Sequence, residues 1–413
     1  PRLVLLQKLL AEDGAIFISI DDNEHANLLL VCNEIFGSNN FIQDIIWNKR
    51  VSPARDAKFF STDHEYILVY SKNKESLTTH FLPRTEKNNS YYKNPDNDPR
   101  GPWNSAAYTC NKSRDERPNL YYPITNPYTG EKIFPKESAV WAYSEETYQQ
   151  HVRDNLLYWG VNGEAKQPRK KAFLSEVGDV VPRSVWSHSD VGSTQKATME
   201  NNTIFNMRAF SYPKVSTLVE RIIQIASDKD SIVLDSFAGS GTTAHAVLNM
   251  NKSDGGNRKF ILVEMGDYAD TITAERVKRV INGYGEGKNA VEGTGGNFSY
   301  YELGNPLFMQ DGTINDEVDI TEVRKYVWYT ETNGIEYKED IQEKYFLGSY
   351  NDTAYYFYYE KDRVTILDYE FLTSVHKKEQ TYVMYADSCA LSDSDLQKWN
   401  ITFKKIPRDI EHI

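Results

Sequence analysis

Residues 231–247 read SIVLDSFAGSGTTAHAV, and their reading decides the fold. Ile232-Val233-Leu234 is a short apolar run, as a buried parallel strand carries. It ends at Asp235. Gly239 and Gly241 then bracket a tight turn, where the missing Cβ lets the backbone approach a ligand closely. From Thr242 the residues suit a helix, whose start offers free N–H groups and a positive dipole end. Strand, glycine turn and helix make the opening unit of a Rossmann-like α/β fold.

The ligand is read from the residues around the turn. No Lys follows Gly241, which excludes a phosphate-gripping P-loop. Gly239-x-Gly241-x-x-Ala244 fits the dinucleotide pattern. Lys259 to Val263 predicts the next strand, ending at Glu264, where a carboxylate suits the two ribose hydroxyls of an adenosyl group. Asp235 separates the two readings. A carboxylate at the end of the first strand suits a ligand with a positive ammonium, such as S-adenosylmethionine (SAM), and repels the pyrophosphate of a nicotinamide dinucleotide. The expected cofactor residues are Asp235, Phe237, Ala238, Gly239, Ser240, Gly241, Thr242, Thr243 and Glu264. Lys214, in a Tyr-Pro-Lys-Val segment expected to pack beside the turn, joins them.

Upstream, residues 2–11 predict an amphipathic helix ended by Gly14, and Ala15–Ile20 a buried strand. Asp21 and Glu24 have the spacing of a capping box for a helix running to about Phe36. Phe41–Trp47 and His64–Tyr70 predict two more strands, with His64 read as a strand-entry histidine beside a Glu. This block is α/β yet has no nucleotide turn of its own. Residues 1–71 and 205–284 are therefore expected to form one sheet, split by an insert over 72–204. The insert is rich in Tyr, Asn, Pro and Trp, with many turns, as suits a recognition domain on a rigid scaffold.

The insert ends in a basic run. Between Ala165 and Arg183 lie five basic and two acidic residues. Lys166, Arg169, Lys170, Lys171 and Arg183 are the candidate phosphate contacts, with Trp159 and Trp186 beside them as stacking candidates. The chain as a whole carries a net charge of −12, but the acidity is local. Residues 301–413 hold 12 basic and 22 acidic side chains, so the remainder is near neutral. A basic face, not a basic total, is what DNA requires. Three scattered cysteines, Cys32, Cys110 and Cys389, fit neither a disulfide framework nor a metal site. With no apolar run near the length of a membrane span, the expected setting is the cytoplasm. Gly283–Gly296 reads as a linker, and residues 285–413 as linker plus an acidic α+β domain whose aromatic run Tyr355–Tyr359 belongs in a core.

Taken together, GAIFISIDDNE, FIQDIIWNK, HEYILVYSKN, PRKKAFLSEVGDVVP and FAGSGTTAHAV with ILVEM resemble the modification (Mod) subunits of type III restriction–modification systems, within the β-type DNA adenine methyltransferases. The resemblance spans nearly the whole chain. It implies a SAM-dependent Rossmann-like sheet split by a target-recognition domain, transfer of methyl to adenine N6 in double-stranded DNA, a homodimer of Mod subunits and a restriction (Res) partner. The family's catalytic Asp-Pro-Pro-Tyr has no counterpart, since no Pro-Pro occurs; Asn126-Pro127-Tyr128 reads as a turn. The expectation is a chain that binds SAM yet does not transfer methyl by itself. A cytosine-N4 enzyme and a non-catalytic DNA-specificity or assembly module are the alternatives.

Overall fold

The computed structural model describes residues 1–338 and 343–410. The chain forms two compact units, Pro1–Phe298 and Ser299–Ile413.

The first unit opens with helix α1 (Arg2–Leu9), strand β1 (Ala15–Ile20), helix α2 (His25–Phe36) and the strand pair β2 (Phe41–Asn48) and β3 (His64–Ser71). The predicted capping box is not formed. Asp21 instead accepts from the Asn23 amide at 3.1 Å, and α2 starts one turn later with no side-chain cap. An Asx turn satisfies the same carboxylate locally, which removes it from the helix.

The insert builds its own small sheet from β4 (Trp103–Ala107), β5 (Leu157–Tyr158) and β6 (Arg169–Phe173). A separate aromatic core of Tyr108, Tyr122, Trp141, Tyr148 and Trp159 stands beside it. Aromatic side chains bury enough area to hold a loop-rich segment together with little regular structure. Strand β7 (Val185–Trp186) then pairs parallel with β2. The chain has thus returned to the first sheet before residue 204, the boundary expected from composition.

Helices α3 (Thr194–Phe205) and α4 (Ser216–Ala226) lead to β8 (Ile232–Asp235), α5 (Thr242–Asp254), β9 (Lys259–Leu262) and α6 (Glu275–Asn282). β8 and β9 pair parallel over four residues. Helix α4 joins the two halves. Leu218 and Ile225 pack with Trp47, Ile67 and Val69 of the first sheet, while Ile223 packs with Val247 of α5.

The single continuous sheet is not observed. Among the described residues the strands form one sheet in the order β1-β3-β2-β7 and a separate pair β8-β9. β1 and β8 are both edges. Val233, Phe260 and Leu262 face the helices, but Ile232 is 64% and Ile261 50% exposed on the other face. The predicted buried strand is therefore covered on one side only. The Gly-rich linker is also more ordered than composition implies. Gly283–Tyr284 pairs with Val291–Glu292, and Phe298 packs against the α5–α6 core, so these residues belong to the first unit.

The second unit is a mixed sheet of Phe346–Tyr350, Thr353–Phe357, Thr381–Ala386 and Ile401–Lys405. The first pair is antiparallel and the others parallel. Tyr355, Tyr356 and Phe357 are buried, as the core reading of the aromatic run requires. Alternation sends Tyr355 and Phe357 to one side and Tyr356 to the other. Helix Ile320–Thr332, not foreseen from the sequence, lays Trp328 edge-on to Tyr355.

Candidate functional site

The turn after β8 is held from both sides. Asp235 accepts from the Phe237 amide at 3.1 Å and from the Thr243 hydroxyl at 2.5 Å. The carboxylate of Glu264 reaches back across the turn, accepting the Gly239 amide at 2.7 Å and the Met265 and Gly266 amides at 2.9 Å. Burial alone raises the Glu264 pKa. The Gly266, Gly239 and Met265 amides and the Tyr268 hydroxyl outweigh it and hold the carboxyl below its usual range. Two glycines are required by geometry. Gly239 has φ +51° and Gly241 φ +78°, and a Cβ on Gly241 would stand 2.9 Å from the Thr273 carbonyl.

The expected cofactor residues divide by where their side chains point. Phe237 is 60% exposed at the mouth of the turn, with the Arg2 guanidinium 5.2 Å from its ring centre. Ala238, Ser240, Thr242 and Thr243 are buried. Ser240 and Thr242 face inward, toward Arg276, and Thr243 is spent on Asp235. These residues therefore offer a ligand their backbone, not their hydroxyls. Lys214 meets the turn only through its carbonyl, which accepts the Thr242 hydroxyl at 3.2 Å. Its ammonium pairs instead with Glu65 and lies 5.2 Å over the Trp47 ring.

Beneath the turn lies a buried ionic network that the sequence did not disclose. Arg276 of α6 is fully buried. It donates to Ser240 Oγ at 3.0 Å, Thr242 Oγ1 at 2.9 Å, Glu200 at 3.2 Å and His245 Nδ1 at 3.0 Å. A guanidinium only donates, so Nδ1 accepts and the His245 proton sits on Nε2, toward Tyr284. Burial, and then the Arg276 charge, push the His245 pKa well below its usual value. Glu200 also accepts the Ser216 amide at 3.1 Å, tying α3 and α4 to the turn. Arg276 lies in the sequence ERVKRV, where nothing but helical phase separates it from the exposed Lys278.

A second cluster sits at the C-terminal ends of β2 and β7. Glu65, at the start of β3, is bridged by Lys214 and by Lys49 Nζ at 2.9 Å. Burial raises its pKa, but the two ammonium groups prevail and lower it. His64 makes an edge contact with Tyr66, so the neighbouring Glu is the functional-looking residue of that pair.

The basic run of the insert is divided by its strand. Lys171 shares the inward face of β6 with Phe173, at 2% exposure, while Arg169, first on that face, lies at the exposed start of the strand. The Lys171 ammonium is locked at 2.5 Å to Asp96 and 2.9 Å to Asp98. Lys171 is therefore a structural cation and is withdrawn as a phosphate contact, because a buried charge already paired has no reach to solvent. Lys166, Arg169 and Arg183 are exposed. Arg169 donates to Ser105, and half-buried Lys170 lies 5.3 Å over Tyr143. Trp159 and Trp186 are 3% and 2% exposed, so both are core residues and neither stacks on a base.

Residues 1–275 match the family model described as DNA methylase, N6_N4_Mtase. The chain belongs to the DNA methylase family. Among its relatives is the Mod subunit of the type III restriction–modification enzyme StyLTI of Salmonella typhimurium. It is 36% identical over 295 residues, which cover 68% of this chain and 44% of that one. The Mod subunit of EcoPI from Escherichia phage P1 is 32% identical over 289 residues, 64% of this chain and 44% of that one. The type II methyltransferase M.KpnI of Klebsiella pneumoniae is 33% identical over 283 residues, 64% of this chain and 65% of that one. The match spans less than half the length of either type III relative. The family match ends at the first residue of α6 and takes in the glycine turn, the Lys49–Glu65–Lys214 cluster and the insert, stopping one residue short of Arg276. Among the described residues no helix is long and apolar enough to cross a membrane, and no acidic, His or Cys group could hold a metal.

Proposed function

We propose that this chain carries the SAM-binding and DNA-recognition parts of a DNA methyltransferase that modifies adenine N6, as a Mod subunit does. The observation that carries the reading is the glycine turn between Asp235 and Glu264, inside a stretch that matches the DNA methylase family. Asp235, fixed by the Phe237 amide and Thr243, meets the cofactor's ammonium. Exposed Phe237 supplies an aromatic face for the adenine. Glu264 clamps the turn first. Three amides and the Tyr268 hydroxyl take its roughly four lone-pair sites, so a ribose hydroxyl bonds it by displacing the Tyr268 hydroxyl. SAM supplies the activated methyl group. The target base leaves the duplex to reach it.

Duplex DNA is held by Lys166, Arg169, Lys170 and Arg183, all exposed or half-buried, with Arg169 and Lys170 on the central strand of the insert's sheet and Arg183 just before β7. Removing one phosphate contact lowers the slope of log affinity against log salt by about 1. With no Asp-Pro-Pro-Tyr in the sequence, the 413 residues alone bind SAM without methyl transfer. A labelled-methyl assay on mixed-sequence DNA tests this, and robust incorporation by this chain would overturn it. The family's label, N6_N4_Mtase, names N4 as well as N6, and nucleoside analysis of modified DNA separates methylation at cytosine N4 from methylation at adenine N6. Pairing with a second Mod copy and a Res subunit in the cytoplasm completes the proposal.

A further inference from the structure

Loop 49–63 joins β2 to β3. Its root is the Lys49–Glu65–Lys214 cluster, and Lys214 in turn contacts Thr242 of the glycine turn. The loop therefore rises from the same end of the molecule as the cofactor turn, the C-terminal edge where α/β sheets bind ligands. Its lower part is shaped by hydrogen bonds: the Ala54 amide donates to Ser61 Oγ at 2.7 Å, and Ser61 to Asp63. At its tip Phe59 is 81% and Phe60 93% exposed. Two adjacent phenylalanines bared to water are costly to keep unless something covers them.

The surroundings say what covers them. Residues 49–60 hold four basic side chains and one acidic. Arg50, Arg55 and Lys58 are exposed and form no ion pair among the described residues. Lys58 lies 5.3 Å from the Phe59 ring centre. Free cations ringing a bare aromatic pair complement a polyanion with stacked, flat apolar surfaces inside it. Apolar side chains inserted between base steps are a general means of opening a duplex.

We propose that loop 49–63 is a DNA-wedge loop. Arg50, Arg55 and Lys58 bind backbone phosphates, and Phe59 and Phe60 enter the base stack beside the cofactor turn, filling the gap left when a base is extruded. This rests on the DNA reading proposed above. It adds a second contact surface, separate from the insert, and assigns it to the unstacking step.

The test uses the 413-residue chain, a mixed-sequence duplex and the same duplex with one abasic site. Anisotropy titrations compare wild type with Phe59→Ala/Phe60→Ala, whose exposed side chains can be removed without loss of the core. An abasic site offers the wedge a ready-made gap. Wild type is expected to prefer the abasic duplex by about tenfold, given the strength of aromatic–base stacking. The double variant loses that preference and keeps its affinity for intact duplex within about threefold. Arg50→Gln/Arg55→Gln/Lys58→Gln weakens binding to both duplexes alike and lowers the salt slope by about 2–3. An unchanged abasic preference in the phenylalanine variant, no preference in wild type, or binding to anionic vesicles in place of duplex would each overturn the wedge. Wild type that binds neither duplex would overturn the DNA reading itself.

Discussion

The guanidinium of Arg276 donates to Thr242 Oγ1 at 2.9 Å, from beneath the turn to the first residue of the helix that follows it. A buried cation next to a helix N-terminus works against the dipole. Glu200 offsets it at 3.2 Å, and the hydroxyls of Ser240 and Thr242 take further hydrogen bonds from it. The turn is thus held in shape by a network that touches no ligand.

Removing one member leaves the other charge buried and unpaired. Arg276→Met is therefore expected to destabilise the first unit by about 3–5 kcal/mol. Arg276→Met with Glu200→Gln should cost clearly less than the two single changes added together. Denaturant titrations of the four proteins measure this, and additive costs would mean that the pair is not coupled.

His245 sets a pH dependence. Its folded pKa is depressed by burial and by Arg276, so below about pH 6.5 the unfolded chain takes up a proton that the folded chain refuses. Stability present above that value is lost as the pH falls toward the folded pKa. The expected outcome is a falling denaturation midpoint between about pH 6.5 and pH 5 in wild type, and a shallower fall in His245→Gln. Equal slopes would show that other groups govern acid sensitivity.

Lys171 and Lys166 sit five residues apart and should behave oppositely. Lys171→Met removes the ammonium shared by Asp96 and Asp98, leaving Asp98 to Arg100 and Asp96 to the Trp103 indole, and is expected to cost about 1.5–3 kcal/mol of stability, the worth of a hydrogen bond to a charged group. Lys166→Ala, at an exposed site, should stay within about 0.5 kcal/mol and alter only DNA affinity. Thermal melts of both variants, read beside DNA titrations, measure this. Loss of DNA affinity in Lys171→Met with an unchanged melt would return Lys171 to the interface.

These contrasts mark what a sequence discloses. Ile232 to Glu264 was legible because strand, glycines and helix follow local rules: Gly239 and Gly241 adopt the positive φ their identity suits, and Asp235 and Glu264 end strand segments at the turn. The aromatic run at Tyr355 was legible because alternation over a sheet has a fixed period. Lys171 was misread because a run of basic residues looks alike in sequence whether its strand face points in or out. Arg276, Glu200 and His245 went unseen because their meaning lies in mutual contact across 31 to 76 residues. The split between the β1 and β8 sheets was hidden for a similar reason: both strands read as paired, and pairing is set by partners a single segment does not specify.

The central claim is that the turn between Asp235 and Glu264 binds SAM. Calorimetric titration of SAM and of NADH into the folded wild-type chain and Asp235→Ala tests it most directly. The account predicts SAM binding in wild type, weakened in Asp235→Ala by about 1.5–3 kcal/mol, the worth of a charge-assisted contact, and no NADH binding. Wild-type protein that binds NADH and not SAM would contradict it.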